Sequence, residues 1–368
     1  MIVSAPRIAW FLPTIKAGSG GLRTVLAHAK SLENKGFSTC LQVDGREIDI
    51  EGAQKKISEF YGYSFSSVSL GWTEAEPCDL AIATVWPSAL PVSKLPFAAK
   101  RLYYVQDFEP WFYPMGSMYL AAESSYCHGL DIVTIGRFLA RKLEREYRLR
   151  TAYHDFGANP DIYRPLGPAE EQKSPQKNPA ICFLFQPGKE RRASELGLAA
   201  LRLVSRLRPE VEIYLYGTPP AENVHFPPPF NFLGHIRLEE CNALYNRCTL
   251  GLCLSCTNPS RVPFEMMASG LPVVDLWREN TLYDFPEDAM CLSRQAPEDL
   301  ALTLIALLDS PARRLQMREA GIAFMRHRSE EMESNTLAGI IRGWFEEGEF
   351  PARRDIRPMY TKPPKAGA

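Results

Sequence analysis

The feature that most constrains this chain is an alternation of short apolar runs with helical patterns, which occurs twice. In the first third, Arg7-Ile8-Ala9-Trp10-Phe11 reads as a buried strand, Leu22 to Lys35 as a helix closed by Gly36, and Phe37 to Val43 as a second strand. Asp79 to Thr84, Arg101 to Val105 and Leu130 to Ile135 are further strands, with helical stretches at Met118 to Cys127 and Phe138 to Tyr147. The rhythm restarts with a strand at Ile181 to Gln186 and a helix at Glu195 to Leu207, whose apolar residues share one face. Strands at Val211 to Tyr216, Leu250 to Leu254 and Leu271 to Val274 follow, with a short helix from about Pro263 to Ser269. Helices at Pro297 to Leu308 and Pro311 to His327 complete this half. Strands separated by helices pair in parallel and are covered on both faces, so the expected class is α/β.

The break between the halves sets the domain organisation. Residues 166–179 are rich in Pro, Gln, Lys and Glu and bury little, as a linker does. The expected boundaries are 1–165 for the first domain, 180–330 for the second, 331–350 for a final helix beyond the second core, and 351–368 for a proline-rich tail lying free or draped over the surface. A length of 368 residues suits two domains. Ligands of open parallel sheets bind at the carboxyl ends of the strands, so two such domains direct attention to the cleft between them.

Composition removes other classes. The 42 basic and 43 acidic residues nearly cancel, which argues against a nucleic-acid partner. Nine cysteines without small-scaffold spacing, and no secretory leader pattern at the start, suit a reducing cytoplasm. No apolar run approaches the ~18 residues of a membrane span, so any membrane contact is peripheral.

Three loops carry the candidate chemistry. Pro13 to Gly21 follows the first strand, and Gly18, Gly20 and Gly21 let backbone N–H groups approach an anion at a helix start. A flexible turn is the plainer reading. A dinucleotide fingerprint with Asp44 as ribose partner fits poorly, because Arg23 stands at the third glycine position. Gln186-Pro187-Gly188-Lys189-Glu190-Arg191-Arg192 puts three cations after the first strand of the second half, where they would neutralise a diphosphate or simply form a solvated turn. Asn258 to Val274 runs loop, short helix, strand. Ser260, Arg261 and Val262 offer N–H groups at the helix start, and Glu265 is either a first-turn carboxylate suited to the helix dipole or an acceptor for ribose hydroxyls. Cys253-Leu-Ser-Cys256 lacks a second pair at zinc spacing, and the six histidines show no H-E-x-x-H, so no metal site is expected. Trp111-Phe112-Tyr113 suits a sugar-stacking groove and a core role equally.

The segment Glu265-Met-Met-Ala-Ser-Gly-Leu-Pro-Val-Val resembles the E-A-M-A-x-G-x-P-V-V signature of retaining GT-B glycosyltransferases of the family 4 type. Gly20-Gly21 is similar to that family's glycine loop, and Gly157-Ala158-Asn159-Pro160-Asp161-Ile162-Tyr163-Arg164-Pro165 to its N-G-V-D-x-x-x-F-x-P element. Leu233-Gly234-His235-Ile236 with Leu244-Tyr245 resembles the L-G-x-V segment and the helix after it. Tyr103-Tyr104-Val105-Gln106-Asp107-Phe108-Glu109-Pro110 and Asn258-Pro259-Ser260-x-x-Pro263-x-Glu265 resemble bacterial rhamnosyltransferases of surface-polysaccharide assembly. The similarity spans roughly residues 7 to 330.

The resemblance implies two Rossmann-like domains facing across a cleft, acceptor domain first, with the last helix crossing back to it. It implies metal-independent, retaining transfer of a hexose or deoxyhexose, L-rhamnose from dTDP-L-rhamnose foremost, to a surface glycan or lipid-linked saccharide. The nucleotide-sugar is then a substrate and no cofactor is needed. The setting would be cytoplasmic, with peripheral contact at the inner membrane face. Asp107, Lys189 and Arg191 take the catalytic roles; Gly20, Gly21, Gly217, His235, Ser260, Arg261, Val262 and Glu265 contact the donor. The family's first glutamate falls at Thr257, its second-domain arginine at Gln186 and its acceptor histidine at Gln106. A sugar lacking the usual hydroxyl pattern accounts for the first departure. With no D-x-D pair, cations must replace a metal on the departing diphosphate. UDP- or GDP-sugar transfer, an inactive glycan-binding relative and an NAD-dependent oxidoreductase are the alternatives.

Overall fold

The structure, a computed structural model, describes residues 5–45, 49–73, 75–167, 178–219, 230–353 and 355–364. The chain divides into two compact units, residues 1–154 with 333–356 and residues 155–332 with 357–368. Most of the expected linker, residues 168–177, lies outside the described residues.

The first unit runs β1 (Arg7–Leu12), α1 (Gly20–Asn34), β2 (Ser38–Val43), α2 (Ile50–Tyr61), β3 (Val68–Leu70), β4 (Leu80–Ala83), α3 (Trp86–Ser93), β5 (Lys100–Val105), α4 (Ser117–Ser124), β6 (Asp131–Ile135), α5 (Arg137–Tyr147) and β7 (Thr151–His154). Its seven strands are parallel in the order β3-β2-β1-β4-β5-β6-β7. β1 is buried along nearly its whole length because it pairs on both edges, which is why it reads as a continuous apolar run rather than an alternating one. Ile8, Trp10 and Leu12 from this strand pack with Leu22, Val25 and Leu26 of α1.

The second unit runs β8 (Ala180–Leu184), α6 (Ser194–Leu207), β9 (Glu212–Tyr216), β10 (Phe230–Gly234), α7 (Leu238–Arg247), β11 (Leu250–Leu252), α8 (Val262–Ala268), β12 (Val273–Leu276), α9 (Glu279–Leu282), β13 (Met290–Ser293), α10 (Pro297–Leu308) and α11 (Pro311–Met325). The sheet order is β10-β9-β8-β11-β12-β13, again parallel. Its core joins Ile181 and Phe183 to Leu201 and Val204 of α6 and Leu304 of α10.

The last helix, α12 (Glu330–Glu347), returns from Glu333 onward to the first unit, where Leu337, Ile341 and Trp344 enter the core beside β1 and α1. The tail is not free. Met359 and Tyr360 donate backbone N–H groups to the Leu282 carbonyl (2.8 and 3.0 Å), and the Tyr360 ring meets Trp277 edge-on. Proline richness left its backbone donors few, and these few are enough to hold it against the second unit.

Several elements absent from the sequence reading are short. β3, β7 and β13 are three or four residues long, too short to show periodicity. α3 contains Pro91, which reads as a breaker yet sits within a single short helix.

Candidate active site

In the second sheet, β8 lies beside β9 on one edge and β11 on the other, and successive connections leave it in opposite directions. That is a topological switch point, the position at which open parallel sheets take their ligands. The loops after β8 and β11 are the cation loop Gln186–Arg192 and the segment leading to Glu265. The Cys256 N–H donates to the Arg191 carbonyl at 2.8 Å, so the loops touch through backbone. Two segments about seventy residues apart in sequence therefore meet because their strands pair.

The cation loop is braced from below. The Gln186 N–H donates to Ser194 Oγ (3.0 Å), and Gln186 Nε2 donates to the Gly217 carbonyl (3.0 Å). Gly217 itself has φ +100, and a Cβ there would lie 2.6 Å from Leu184 Cδ1, so only glycine turns the chain here. The carbonyl that anchors Gln186 depends on that turn. Lys189 Nζ lies 3.4 Å from Gln186 Oε1, and partial desolvation together with the positive charges of Arg191 and Arg192 pulls its pKa below the usual lysine value. An anion arriving among these cations would relieve that repulsion.

Glu265 stands in the first turn of α8, half-buried, with its carbonyl accepting from both the Ser269 N–H (3.0 Å) and Ser269 Oγ (2.8 Å). Burial raises the pKa of Tyr245 on α7 and of Cys253 after β11, and the Glu265 charge adds to both rises. Arg261 is engaged through its side chain: Nη1 donates to the Gly157 carbonyl at 2.7 Å, tying the start of α8 to the glycine-bearing segment 157–165. Ser260 is buried, and its Oγ receives the Val262 N–H at 3.4 Å. The helix start is thus built by backbone and by an arginine that packs inward. His235 follows β10 on an exposed stretch.

Two groups escaped the sequence reading. Asp275 on β12 is fully buried; its Oδ1 accepts the Leu276 N–H (2.7 Å) and the Ser255 N–H (3.2 Å), while Oδ2 has no partner among the described residues. Burial pushes this carboxyl up to about 8, against the pull of those two N–H groups and of Arg192 and Arg278. Arg192 Nε and Nη1 and Asn280 Oδ1 are likewise buried without partners among the described residues. The aspartate in Val273-Val274-Asp275-Leu276 interrupts an apolar strand, which is the signal that would have found it.

In the first unit, Gly20 and Gly21 are not a loop but the opening turn of α1, capped by Ser19, whose Oγ accepts the Leu22 N–H (3.3 Å). Their N–H groups are those that helical geometry leaves outside the intrahelical ladder. A Cβ on Gly21 would come within 3.3 Å of Gln106 Nε2, so β1 and β5 bring the glycine turn and the Gln106-Asp107 segment together. Asp107 is half-buried, and its Oδ1 accepts the Phe108 N–H (2.9 Å). Trp111 packs on Phe108 and stacks on Phe138, whereas Phe112 is exposed, so that aromatic trio divides between core and surface.

Glu109 is the second residue the sequence reading passed over. It is buried beneath the Asp107 turn, accepting from the Trp86 N–H (3.1 Å) and the Tyr103 hydroxyl (3.0 Å). Burial raises its carboxyl from 4.5 to about 7, with the Asp107 charge adding to the rise. A raised carboxyl favours the folded state while protonated. Its contribution is full below about pH 4.5 and is lost as pH climbs through about 7, on the order of 3 kcal/mol. In Glu109→Gln this slope should vanish. Melting curves from pH 5 to 8.5 are expected to show the variant gaining on the native protein as pH rises; parallel curves would contradict the assignment.

Two parallel Rossmann-like sheets of this kind, in one chain, define the GT-B fold seen in glycosyltransferase structures. Sucrose-phosphate synthase from Thermosynechococcus elongatus superposes with a TM-score of 0.68 at 15% identity, over 93% of this chain and 100% of that one. Anabaena Alr3699/HepE, solved with UDP and glucose, gives 0.67 at 13% identity over 93% and 99%. WaaG, a glycosyltransferase involved in lipopolysaccharide biosynthesis, gives 0.64 at 13% over 91% and 100%. In sequence, residues 179–305 match the family described as WsaF, C-terminal domain, which takes in the whole β8 to β12 site. The chain is also 36% identical over 203 residues to the O-antigen biosynthesis protein RfbC of Myxococcus xanthus. That stretch is 54% of this chain and only 15% of the relative, so the chain spans a small part of the curated protein it matches. Among the described residues, no helix is long and apolar enough to cross a membrane.

Proposed function

We propose that this protein is a glycosyltransferase of bacterial surface-polysaccharide assembly, taking its donor as a nucleoside-diphosphate sugar. The observation that carries the reading is the switch point of the second sheet, where the loop carrying Lys189 and Arg191 meets the loop that leads to Glu265. Cations at one lip suit a diphosphate, and a carboxylate one helix turn in suits ribose hydroxyls. The match to an O-antigen biosynthesis protein supports the glycan setting.

In this reading Glu265 holds the ribose, Lys189 and Arg191 hold the diphosphate, and the N–H groups at Ser260, Arg261 and Val262 add to the anion's field. Gly217 shapes the floor of the site, and His235 borders the base. Gly20 and Gly21 supply helix-start N–H groups from the acceptor domain. Transfer proceeds with retention and without metal: the departing phosphate assists loss of the acceptor hydroxyl's proton on the same face, and Asp107 orients that hydroxyl. Thr257, in place of a glutamate, suits a deoxysugar, and the foremost donor is dTDP-L-rhamnose. The acceptor is a growing glycan or a lipid-linked saccharide. Met115, Met118 and Leu120, exposed at the start of α4, are an apolar stretch suited to peripheral contact with a lipid anchor. A UDP-sugar donor is the second reading, favoured by the UDP held in the HepE structures.

The test is a thermal-shift panel of dTDP, UDP, GDP, ADP and NAD, first without and then with magnesium. A ligand at a hundred times its Kd adds ~2.7 kcal/mol to stability. Stabilisation by dTDP without magnesium supports the rhamnosyl reading, and preference for UDP or GDP replaces the donor while keeping the reaction. Response to NAD alone would overturn glycosyl transfer in favour of hydride chemistry. Nucleotide binding without turnover of any nucleotide-sugar, across a panel of glycan acceptors, would leave a glycan-binding relative.

A further inference from the structure

Away from this site, three residues remote in sequence converge in the core of the first unit. His28 from α1, His154 at the end of β7 and Glu333 near the start of α12 present ligand atoms that lie within 4.8 Å of one another. Each is 3% exposed or less. The nitrogens facing Glu333 Oε2 are Nε2 of His28 and Nδ1 of His154, both at 4.0 Å. Each ring's far nitrogen has a partner: His28 Nδ1 lies 2.8 Å from Ser334 Oγ and His154 Nε2 lies 2.8 Å from the Tyr104 hydroxyl. With the protons on those far nitrogens, the near nitrogens carry the lone pairs, that of His28 also meeting the Tyr104 hydroxyl at 3.0 Å.

We propose that His28, His154 and Glu333 form a structural binding site for a divalent transition metal, zinc foremost, that staples α12 to the first domain. Two imidazoles and a carboxylate supply three of the four positions zinc takes, and roughly 2.0–2.2 Å metal–ligand distances require each ligand to close inward by a few tenths of an ångström. Ser334 and Tyr104 do what outer-shell partners of metal-bound histidines do: they fix the tautomer and aim the ring. In the ion-free arrangement the Tyr104 hydroxyl also lies 3.0 Å from His28 Nε2. The metal takes that lone pair, and the hydroxyl keeps its bond to His154. The site lies within the first unit's hydrophobic core and takes no part in glycosyl transfer.

The experiment uses the full chain, purified without a histidine tag, stripped by chelator, incubated with zinc and desalted. About one equivalent of zinc should remain, and the melting temperature should rise by more than about 5 °C over the stripped protein. Retention should survive Cys253→Ser/Cys256→Ser and be lost in His154→Gln and in Glu333→Gln. Cobalt in the unaltered protein offers a readout that needs no variant to fold: visible bands of a nitrogen and oxygen ligand set, without an intense near-ultraviolet thiolate band. Retention below about a tenth of an equivalent with an unmoved melting temperature would overturn the proposal. So would a cobalt–thiolate band, or zinc retained by folded His154→Gln.

Discussion

Removing both cations of the β8 loop, in Lys189→Ala/Arg191→Ala, should lower kcat by about 10³ or more, since loss of a single transition-state charge partner typically costs 10²–10³. The two act on one diphosphate, so the double variant should fall short of the product of the singles. The loop itself should survive, because it is held by the Gln186 bonds to Ser194 and Gly217 and by the Arg191 carbonyl, none of which uses the altered side chains. Nucleotide binding should weaken less than turnover, because the negative charge to be stabilised grows as the glycosidic bond breaks. Steady-state kinetics of donor turnover, beside melting curves of the free protein, separate these effects. An unchanged kcat in a folded double variant would remove Lys189 and Arg191 from the reaction.

Glu265→Ala should weaken donor binding by 10- to 100-fold, the range for hydrogen bonds to a charged acceptor lost from a partly desolvated site. Glu265→Gln should recover part of that loss, since one carbonyl oxygen still accepts. Helix α8 should stay formed, because Ser269 bonds to the Glu265 carbonyl rather than to its carboxylate. Titration of the nucleotide by calorimetry reads the effect directly. If the nucleoside monophosphate and the bare diphosphate lose affinity equally in Glu265→Ala, the carboxylate acts on charge and not on the ribose.

How much of this was legible beforehand differs between elements. Strands such as Arg7–Leu12 and Ala180–Leu184 are buried on both faces, and burial forces continuous apolar runs that any reading detects. The helix opened by Pro263 and closed by Gly270 shows its own start and stop. Asp275 and Glu109 were passed over. Asp275 interrupts an apolar strand, whereas nothing local marks Glu109 as buried; both pKa values rise because neighbours from other elements exclude water, and those neighbours are set by sheet order. Gly20 and Gly21 were legible as a helix-start pair, but whether they formed a loop or the first turn rested on Ser19 taking the cap.

By itself the sequence determined the repeated strand–helix rhythm and the residue types of the three loops, because those are properties of composition and short-range spacing. Only the tertiary structure decided that β8 and β11 are neighbours, so that the loops carrying Lys189 and leading to Glu265 meet, and that His28, His154 and Glu333 share one core. The physical reason is the same in both cases. Strand pairing and helix docking are chosen by the burial of apolar faces over the whole chain, and the polar groups carried on those elements are brought together by a choice in which they had little part.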